Sequence, residues 1–222
     1  MVATTEVPRT SPASTAARVR LWLLAAHAVL LAVGTLTHQP DKTPAFDDFA
    51  RYVTTTPFLV SHLVASIGGA ALGALGAVAA LAFLVRGRSA GPGVLGAATF
   101  VAAQVVTTAV FGAAAFAQPA VGRAHLRGVA GAAAIDADVY GPALFGTAIV
   151  GVLLMLVGSI ALGVAVARAG ERDRALRLAG VVYAVAIPLF LVSGLFVTAA
   201  QPVPALVAAG AAVVVARRLP RA

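Results

Sequence analysis

Histidine is the residue type whose placement in this sequence most directly suggests chemistry. The chain has four histidines, at positions 27, 38, 62 and 125, and each lies inside or near a long apolar run. Imidazole titrates near neutral pH, transfers protons and binds Zn, Cu or Fe. An ionisable side chain in an apolar run is a candidate for function, because membrane or core burial makes it costly.

His38 and His62 form the strongest candidate pair. His38 follows the first apolar run, and His62 lies about one turn inside the second. A short connection joins the two runs, so antiparallel neighbouring helices would hold both imidazoles near one depth. The pair is therefore predicted to bind a metal, with haem as a second possible ligand. The sequence lacks HExxH or another tight ligand spacing, and each histidine could instead hydrogen-bond a neighbouring helix.

Two polar connections, predicted to lie on one side of a membrane, supply charged partners. From Phe46, apolar residues recur at helical spacing, whereas Asp47 and Asp48 fall on the opposite face. This pattern is typical of a short surface helix. Such a helix either caps a bundle or covers a site as a lid. The candidate pocket comprises His38, His62, His125, Asp47, Asp48, Asp136, Asp138, Arg123 and Arg127.

Three classes of function remain open for this pocket. The first is a metal or haem site facing outward. The second is an enzyme that uses His/Asp acid–base chemistry on a lipid or quinone at the outer interface. The third is a non-enzymatic transporter or assembly subunit. The middle of each apolar run lacks Asp, Glu, Lys and Arg, which disfavours a classical ion-coupled transporter.

Other polar residues within the runs favour a structural role. His27 in the first run and Gln104 in the third lie at similar predicted depth, so the two side chains are predicted to pair. In the second run, Ala65, Gly69 and Gly73 repeat at helical spacing. Such a stripe of small residues indicates close contact with another helix.

The elements that must position these residues are membrane-spanning helices. The 222 residues are 60% hydrophobic and 11% charged, against about 45–50% and about 25% in soluble domains. A soluble core of this size could not bury so much apolar surface. Without cysteine, thiolate catalysis, Fe–S clusters and Cys-ligated zinc are excluded. The fold class is an all-α, polytopic bundle of six transmembrane helices, with spans predicted at about 21–37, 58–85, 94–117, 140–167, 178–200 and 204–216.

The distribution of basic residues predicts the orientation. The net charge is +8, but the 15 Arg and the single Lys42 lie in clusters between apolar runs rather than in one patch. This excludes nucleic acid as a partner and fits the positive-inside rule. Twelve arginines fall on one side, against Lys42, Arg51, Arg123 and Arg127 on the other. Both termini are therefore predicted to be cytoplasmic.

The surroundings and domain organisation follow from the same composition. A bacterial plasma membrane is predicted from the Arg- and Ala-rich composition, and the lipid bilayer is the expected partner. Residues 1–17 form a predicted disordered tail before a membrane domain at 18–222, with the first run uncleaved rather than a signal peptide. A small-molecule, lipid or metal ligand on the outer side and a homo-oligomer remain possible.

The helix ends suggest three repeated hairpins. The outward helices are predicted to end at His38-Gln39-Pro40, Ala117-Gln118-Pro119 and Ala200-Gln201-Pro202, and the inward helices to begin near Pro57, Pro142 and Pro204. Three parallel hairpin repeats explain this pattern. Independent use of proline at helix boundaries explains it equally.

Three sequence pieces resemble those of uncharacterised six-span bacterial membrane protein families of the actinobacterial type. They are Thr56-Pro57-Phe58-Leu59, Arg86-Gly87-Arg88 and Tyr140-Gly141-Pro142-Ala143-Leu144-Phe145-Gly146. The resemblance implies the six-helix fold only, since these families carry no assigned chemistry.

Overall fold

The molecule is a bundle of long helices. The structure is a computed structural model and describes residues 12–36, 39–42 and 46–221. Within those ranges all regular elements are helical, and six helical segments are long and apolar enough to cross a membrane. This confirms the predicted all-α bundle of six transmembrane helices.

Ten α-helices make up the described part of the chain. They are α1 (Pro12–Arg20), α2 (Trp22–Gly34), α3 (Phe46–Val53), α4 (Thr56–Val60), α5 (Gly69–Leu84), α6 (Ala90–Leu126), α7 (Ala132–Val139), α8 (Pro142–Ala169), α9 (Arg174–Phe196) and α10 (Pro202–Arg218). A π-helix, Ser61–Gly68, joins α4 to α5. Short 3₁₀ turns lie at Gly87–Ser89, Thr198–Ala200 and Leu219–Arg221.

The spanning helices form a closed ring in chain order. Helix α2 packs on α5, α5 on α6, α6 on α8, α8 on α9 and α9 on α10, and α10 closes the ring on α2. Each consecutive pair is antiparallel, because a short connection or the small helices α3 and α7 link them. The arrangement contains three successive hairpins, and their origin by duplication stays a prediction.

Small residues bring the helix backbones close together. A Cβ added to Gly96 in α6 would lie 2.5 Å from the backbone nitrogen of Leu162 in α8. One added to Gly158 in α8 would lie 2.6 Å from the backbone nitrogen of Phe100. The two helices therefore meet main chain to main chain, as small-residue interfaces in membranes do. Phe100 itself is fully buried.

The helix starts agree with the proline pattern better than the helix ends do. Pro57 lies in the first turn of α4 and Pro142 begins α8, as predicted. Helix α10 begins at Pro202, two residues before the predicted start near Pro204, and α9 ends at Phe196, before the predicted end at Ala200. The predicted end of the third span at Ala117 is wrong, since α6 continues through Pro119 to Leu126. The extra turns pack against α3: a Cβ on Gly122 would lie 2.9 Å from the Ala50 carbonyl oxygen. This contact extends the helix past its apolar run.

The N-terminal helix corrects part of the predicted tail. Helix α1 begins at Pro12 and leads through Leu21 into α2, so residues 12–17 are helical. Residues 1–11 of the tail lie outside the described residues.

Side-chain pairs define two opposite ends of the bundle. At one end, here called the Arg-rich end, Arg88 pairs with Glu171 at 2.9 Å and Arg218 with Asp173 at 3.1 Å. At the other, the cap end, α3 and α7 cover the helix termini, and Gln39 Nε2 donates to Gln118 Oε1 at 3.2 Å. The predicted charge asymmetry thus corresponds to two physically separate faces.

Candidate functional site

Helix α3 packs across the cap end of the bundle. Its apolar residues Phe49, Ala50 and Val53 are fully buried, as the helical spacing predicted. They pack against the last turns of α6, while Asp47 and Asp48 stay exposed on the opposite face. The amphipathic pattern therefore fixes which side chains of α3 can meet a ligand.

An imidazole–carboxylate pair joins α3 to the end of α6. His125 Nε2 lies 2.6 Å from Asp47 Oδ1, and Arg51 lies 3.6 Å from the same carboxylate. When Nε2 carries the hydrogen and donates it to Asp47, the lone pair of His125 is on Nδ1. The carboxylate thus fixes the tautomer that accepts protons at Nδ1.

The pairing also affects the carboxylate. The hydrogen bond from His125, followed by the charges of His125 and Arg51, lowers the pKa of Asp47 below its ordinary value of 3.8. A carboxylate with a depressed folded-state pKa contributes stability above its unfolded pKa and loses it as pH falls through the folded value. The contribution of Asp47 to the contact between α3 and α6 is therefore present at neutral pH and is lost as the pH falls through the lowered pKa of this carboxylate.

A lysine at the same end contacts a carboxylate and two aromatic rings. Lys42 Nζ lies 2.5 Å from Asp136 Oδ2, 4.6 Å from the centroid of the Phe49 ring and 4.3 Å from that of Tyr140. Asp136 in α7 is buried. Charge and ring faces both stabilise an ammonium in this position. Lys42 thereby fastens the first connection to α7.

Ring contacts link the two polar groups into one site. The His125 ring lies 4.8 Å from Phe46, and Phe46 lies 5.2 Å from Phe49, centroid to centroid. Phe49 in turn contacts Lys42. We call the set His125, Asp47, Lys42, Asp136 and Tyr140 the cap site.

Two buried polar atoms of the cap site have no hydrogen-bond partner among the described residues. They are Asp136 Oδ1 and the Tyr140 hydroxyl oxygen. Burial, and then the negative charge of Asp136, raises the pKa of Tyr140 above its ordinary value, so the hydroxyl remains a donor. An unused acceptor and an unused donor at one end favour binding of a polar group.

The other charged residues predicted for the pocket make no ion pair with these groups within the described residues. Asp48, Asp138, Arg123 and Arg127 are exposed, and within the described ranges none of them forms an ion pair. The remaining carboxylate on α7, Asp136, pairs with Lys42. Asp48, Asp138, Arg123 and Arg127 are therefore surface charges that water solvates.

Of the two histidines predicted to bind a metal, only His62 lies among the described residues. His62 lies in the π-helix, where Nδ1 is 3.0 Å from the Phe58 carbonyl oxygen and the ring lies 4.1 Å from the Phe58 ring. His38 lies outside the described residues, so the shared site stays a prediction. Among the residues described, no three His, Asp or Glu side chains are grouped closely enough to hold a metal.

The expected pairing of His27 with Gln104 is not formed. Both side chains are buried, but His27 Nδ1 donates to the Gly69 carbonyl oxygen at 2.8 Å. Gln104 Nε2 instead lies 3.5 Å from the Met155 sulfur. The small-residue stripe of the second span provides the reason: Gly69 and Gly73 leave a notch that the imidazole fills.

Sequence reasoning missed the importance of Lys42 and Tyr140. Lys42 was counted only as a charge and Tyr140 only as a helix entry. One signal was present: Lys42 is the single lysine in a chain with 15 arginines. The π-helix around His62 had no sequence signal that we can identify.

These features define a class of protein: a membrane protein with six helices that are long and apolar enough to span the bilayer. No family model, curated protein or solved structure matches the chain.

Proposed function

We propose that the protein binds the polar head of a membrane-soluble ligand, a lipid or a quinone, at the cap site and transfers a proton to or from it. The observation that carries this proposal is the 2.6 Å contact between His125 Nε2 and Asp47 Oδ1. It joins residues 78 positions apart. A carboxylate-oriented imidazole is a common form of general acid or base.

The pair His125 and Asp47 would transfer the proton, and the group Lys42, Asp136 and Tyr140 would hold the ligand. His125 Nδ1 accepts or returns a proton, and Asp47 stabilises the imidazolium formed in between. Tyr140 supplies a protonated hydroxyl as a donor, and the enclosed Lys42 holds α7 in place. Asp136 Oδ1 offers an acceptor to a hydroxyl or amine of the ligand.

The surroundings of the site favour a ligand that arrives through the bilayer. Leu126, Val129 and Ile135 flank the cap site and are all more than two-fifths exposed. An apolar rim beside a few polar groups suits an amphipathic molecule better than a fully water-soluble one. This favours the acid–base interpretation over transport. The metal interpretation depends on His38.

The first test measures what the protein retains on purification. Protein extracted in mild detergent is analysed for bound lipids and quinones by liquid chromatography and mass spectrometry. We expect an enriched amphiphile in the wild type and at least about tenfold less in His125→Gln, since a lost charge-assisted hydrogen bond costs about 1.5–3 kcal/mol. Asp47→Asn should show the same loss.

Arg127→Gln is the matched control, because Arg127 is exposed beside the site without an ion pair in the described structure. It should retain the ligand. Equal amphiphile content in the wild type, His125→Gln and Asp47→Asn would contradict the proposal, provided that all variants elute as folded protein.

We further propose that the cap end faces the outside of a bacterial plasma membrane, with both termini cytoplasmic. The twelve-to-four asymmetry of basic residues supports this orientation. Single cysteines can report it, since the chain has none. In intact cells, an impermeant maleimide should label Ala130→Cys at the cap end but not Arg174→Cys. The opposite labelling pattern would reverse the orientation and place the cap site in the cytoplasm.

A further inference from the structure

We infer that the Arg-rich end binds an anionic phospholipid, with the phosphate in an arginine-lined cleft and one acyl chain in an apolar groove along α9. This site lies at the opposite end of the bundle from the cap site and does not depend on the function proposed there.

The cleft lies where the ends of α8 and α10 meet the start of α9. Its volume is about 790 Å³, and its lining comprises Arg168, Ala169, Glu171, Arg172, Asp173, Arg217 and Arg218. Four guanidinium groups thus face two carboxylates. Guanidinium groups bind phosphate oxygens through paired hydrogen bonds.

The two carboxylates form an ion pair with only one of the four cleft arginines. Glu171 pairs with Arg88, which lies outside the cleft lining. Asp173 pairs with Arg218 and accepts from the backbone N–H groups of Ala175 and Leu176. Those contacts, led by the Leu176 N–H, lower the pKa of Asp173, so it stays committed to them.

Three cleft arginines therefore lack a carboxylate partner within the described part of the chain. Arg168 donates to the Arg88 carbonyl oxygen at 3.3 Å, and Arg217 lies 5.7 Å from the Trp22 ring centroid. Arg172 lines the cleft and is exposed. A phosphate diester would provide the missing counter-charge.

An apolar groove continues from the cleft into the membrane region. A cavity of about 400 Å³ between α8 and α9 shares Arg168 and Glu171 with the cleft. A second cavity, of about 620 Å³ between α9 and α10, shares Val181 and Val185 with the first. Polar cleft and apolar groove are therefore one continuous surface.

Small side chains line the part of the groove next to the cleft. The length of the groove fits an acyl chain. Gly163, Ala167 and Ala184 line the first cavity, leaving room beside α9. From Arg177 to Leu189 the helix rises about 18 Å, close to the ~15 Å half-thickness of a bilayer core. Free phosphate would fill only the cleft, whereas a phospholipid fills both parts. Basic pockets of this kind bind anionic headgroups at the cytoplasmic face.

The test compares lipids that share acyl chains but differ in headgroup. Binding of phosphatidylglycerol and phosphatidylcholine to the detergent-solubilised full chain is measured by native mass spectrometry, with thermal unfolding as a second readout. We expect at least about tenfold preference for phosphatidylglycerol. Arg172→Gln with Arg217→Gln should reduce its affinity about tenfold or more, because each arginine contributes about 1 kcal/mol.

Two matched variants complete the design. Arg123→Gln with Arg127→Gln removes the same charge at the cap end and should leave the preference unchanged. Val185→Trp fills the groove at the residue shared by both cavities and should weaken phosphatidylglycerol binding without altering any effect of inorganic phosphate.

Three outcomes would overturn the inference. One is equal binding of the two lipids. Another is an equal loss in the cap-end variant, which would indicate non-specific attraction to charge. The third is full stabilisation by inorganic phosphate together with no effect of Val185→Trp, which would indicate a phosphate site without a lipid. Unfolding temperatures without lipid establish that each variant is folded.

Discussion

Gly73→Ala lowers the free energy of unfolding by about 1–3 kcal/mol, and His27→Ala in the same chain removes most of that cost. A Cβ on Gly73 would lie 2.9 Å from both Cγ and Nδ1 of the His27 ring. The ring is 1% exposed and hydrogen-bonded to Gly69, so moving it aside would break that hydrogen bond. The added methyl group and the imidazole compete for one volume.

A double-mutant cycle measured by chemical or thermal unfolding in detergent tests this expectation. Gly112→Ala is the control, since nothing lies within 4 Å of a Cβ at that position, and alanine there should be neutral or gain helix propensity. If Gly73→Ala costs as much in the His27→Ala background as in the wild type, the imidazole does not occupy the notch described here.

Gly163→Ala and Gly180→Ala should be more damaging, each costing about 3 kcal/mol or more. The two glycines face each other across α8 and α9. A Cβ on either would lie 2.5 Å from the carbonyl oxygen of the other. The obstacle is backbone, so relief requires the helices to separate along their whole contact.

A second substitution distinguishes this clash with backbone atoms from the clash of Gly73→Ala with the His27 side chain. Ala184→Gly removes one atom near a Cβ at Gly163, but the Gly180 oxygen remains, so it should rescue little. Gly210→Ala, in open space on α10, serves as the control. Two results would show that α8 and α9 are farther apart than described. One is full recovery of the stability of Gly163→Ala when Ala184→Gly is added, and the other is an unchanged yield and unfolding temperature in Gly180→Ala.

The bundle could be predicted from sequence because the bilayer imposes simple rules. Apolar runs of sufficient length, ended by arginines, specify spans without reference to any partner residue. The third span shows the limit. Gln118-Pro119 looks like a helix end, yet α6 continues to Leu126 because Gly122 lets α3 pack directly on it. That contact is tertiary and has no local signal.

The candidate site was predictable as a set of residue types but not as a set of pairs. The outer connections supplied His125, Asp47 and Asp136 as candidates. Their partners depend on contacts 78 and 94 positions apart, which spacing along one helix cannot specify. For the same reason the pairing of His27 and Gln104 failed: similar depth does not determine which face of the bundle a side chain meets.

The single lysine is a natural position for chemical labelling. Lys42 carries the only side-chain amine in the sequence, and two aromatic rings and a carboxylate surround it. Apart from the α-amino group, an acylating reagent therefore has one amine target, and the ion pair with Asp136 holds that amine. The acylation rate at Lys42, read by peptide mapping, consequently reports how readily this amine separates from Asp136 in α7, without any engineered label.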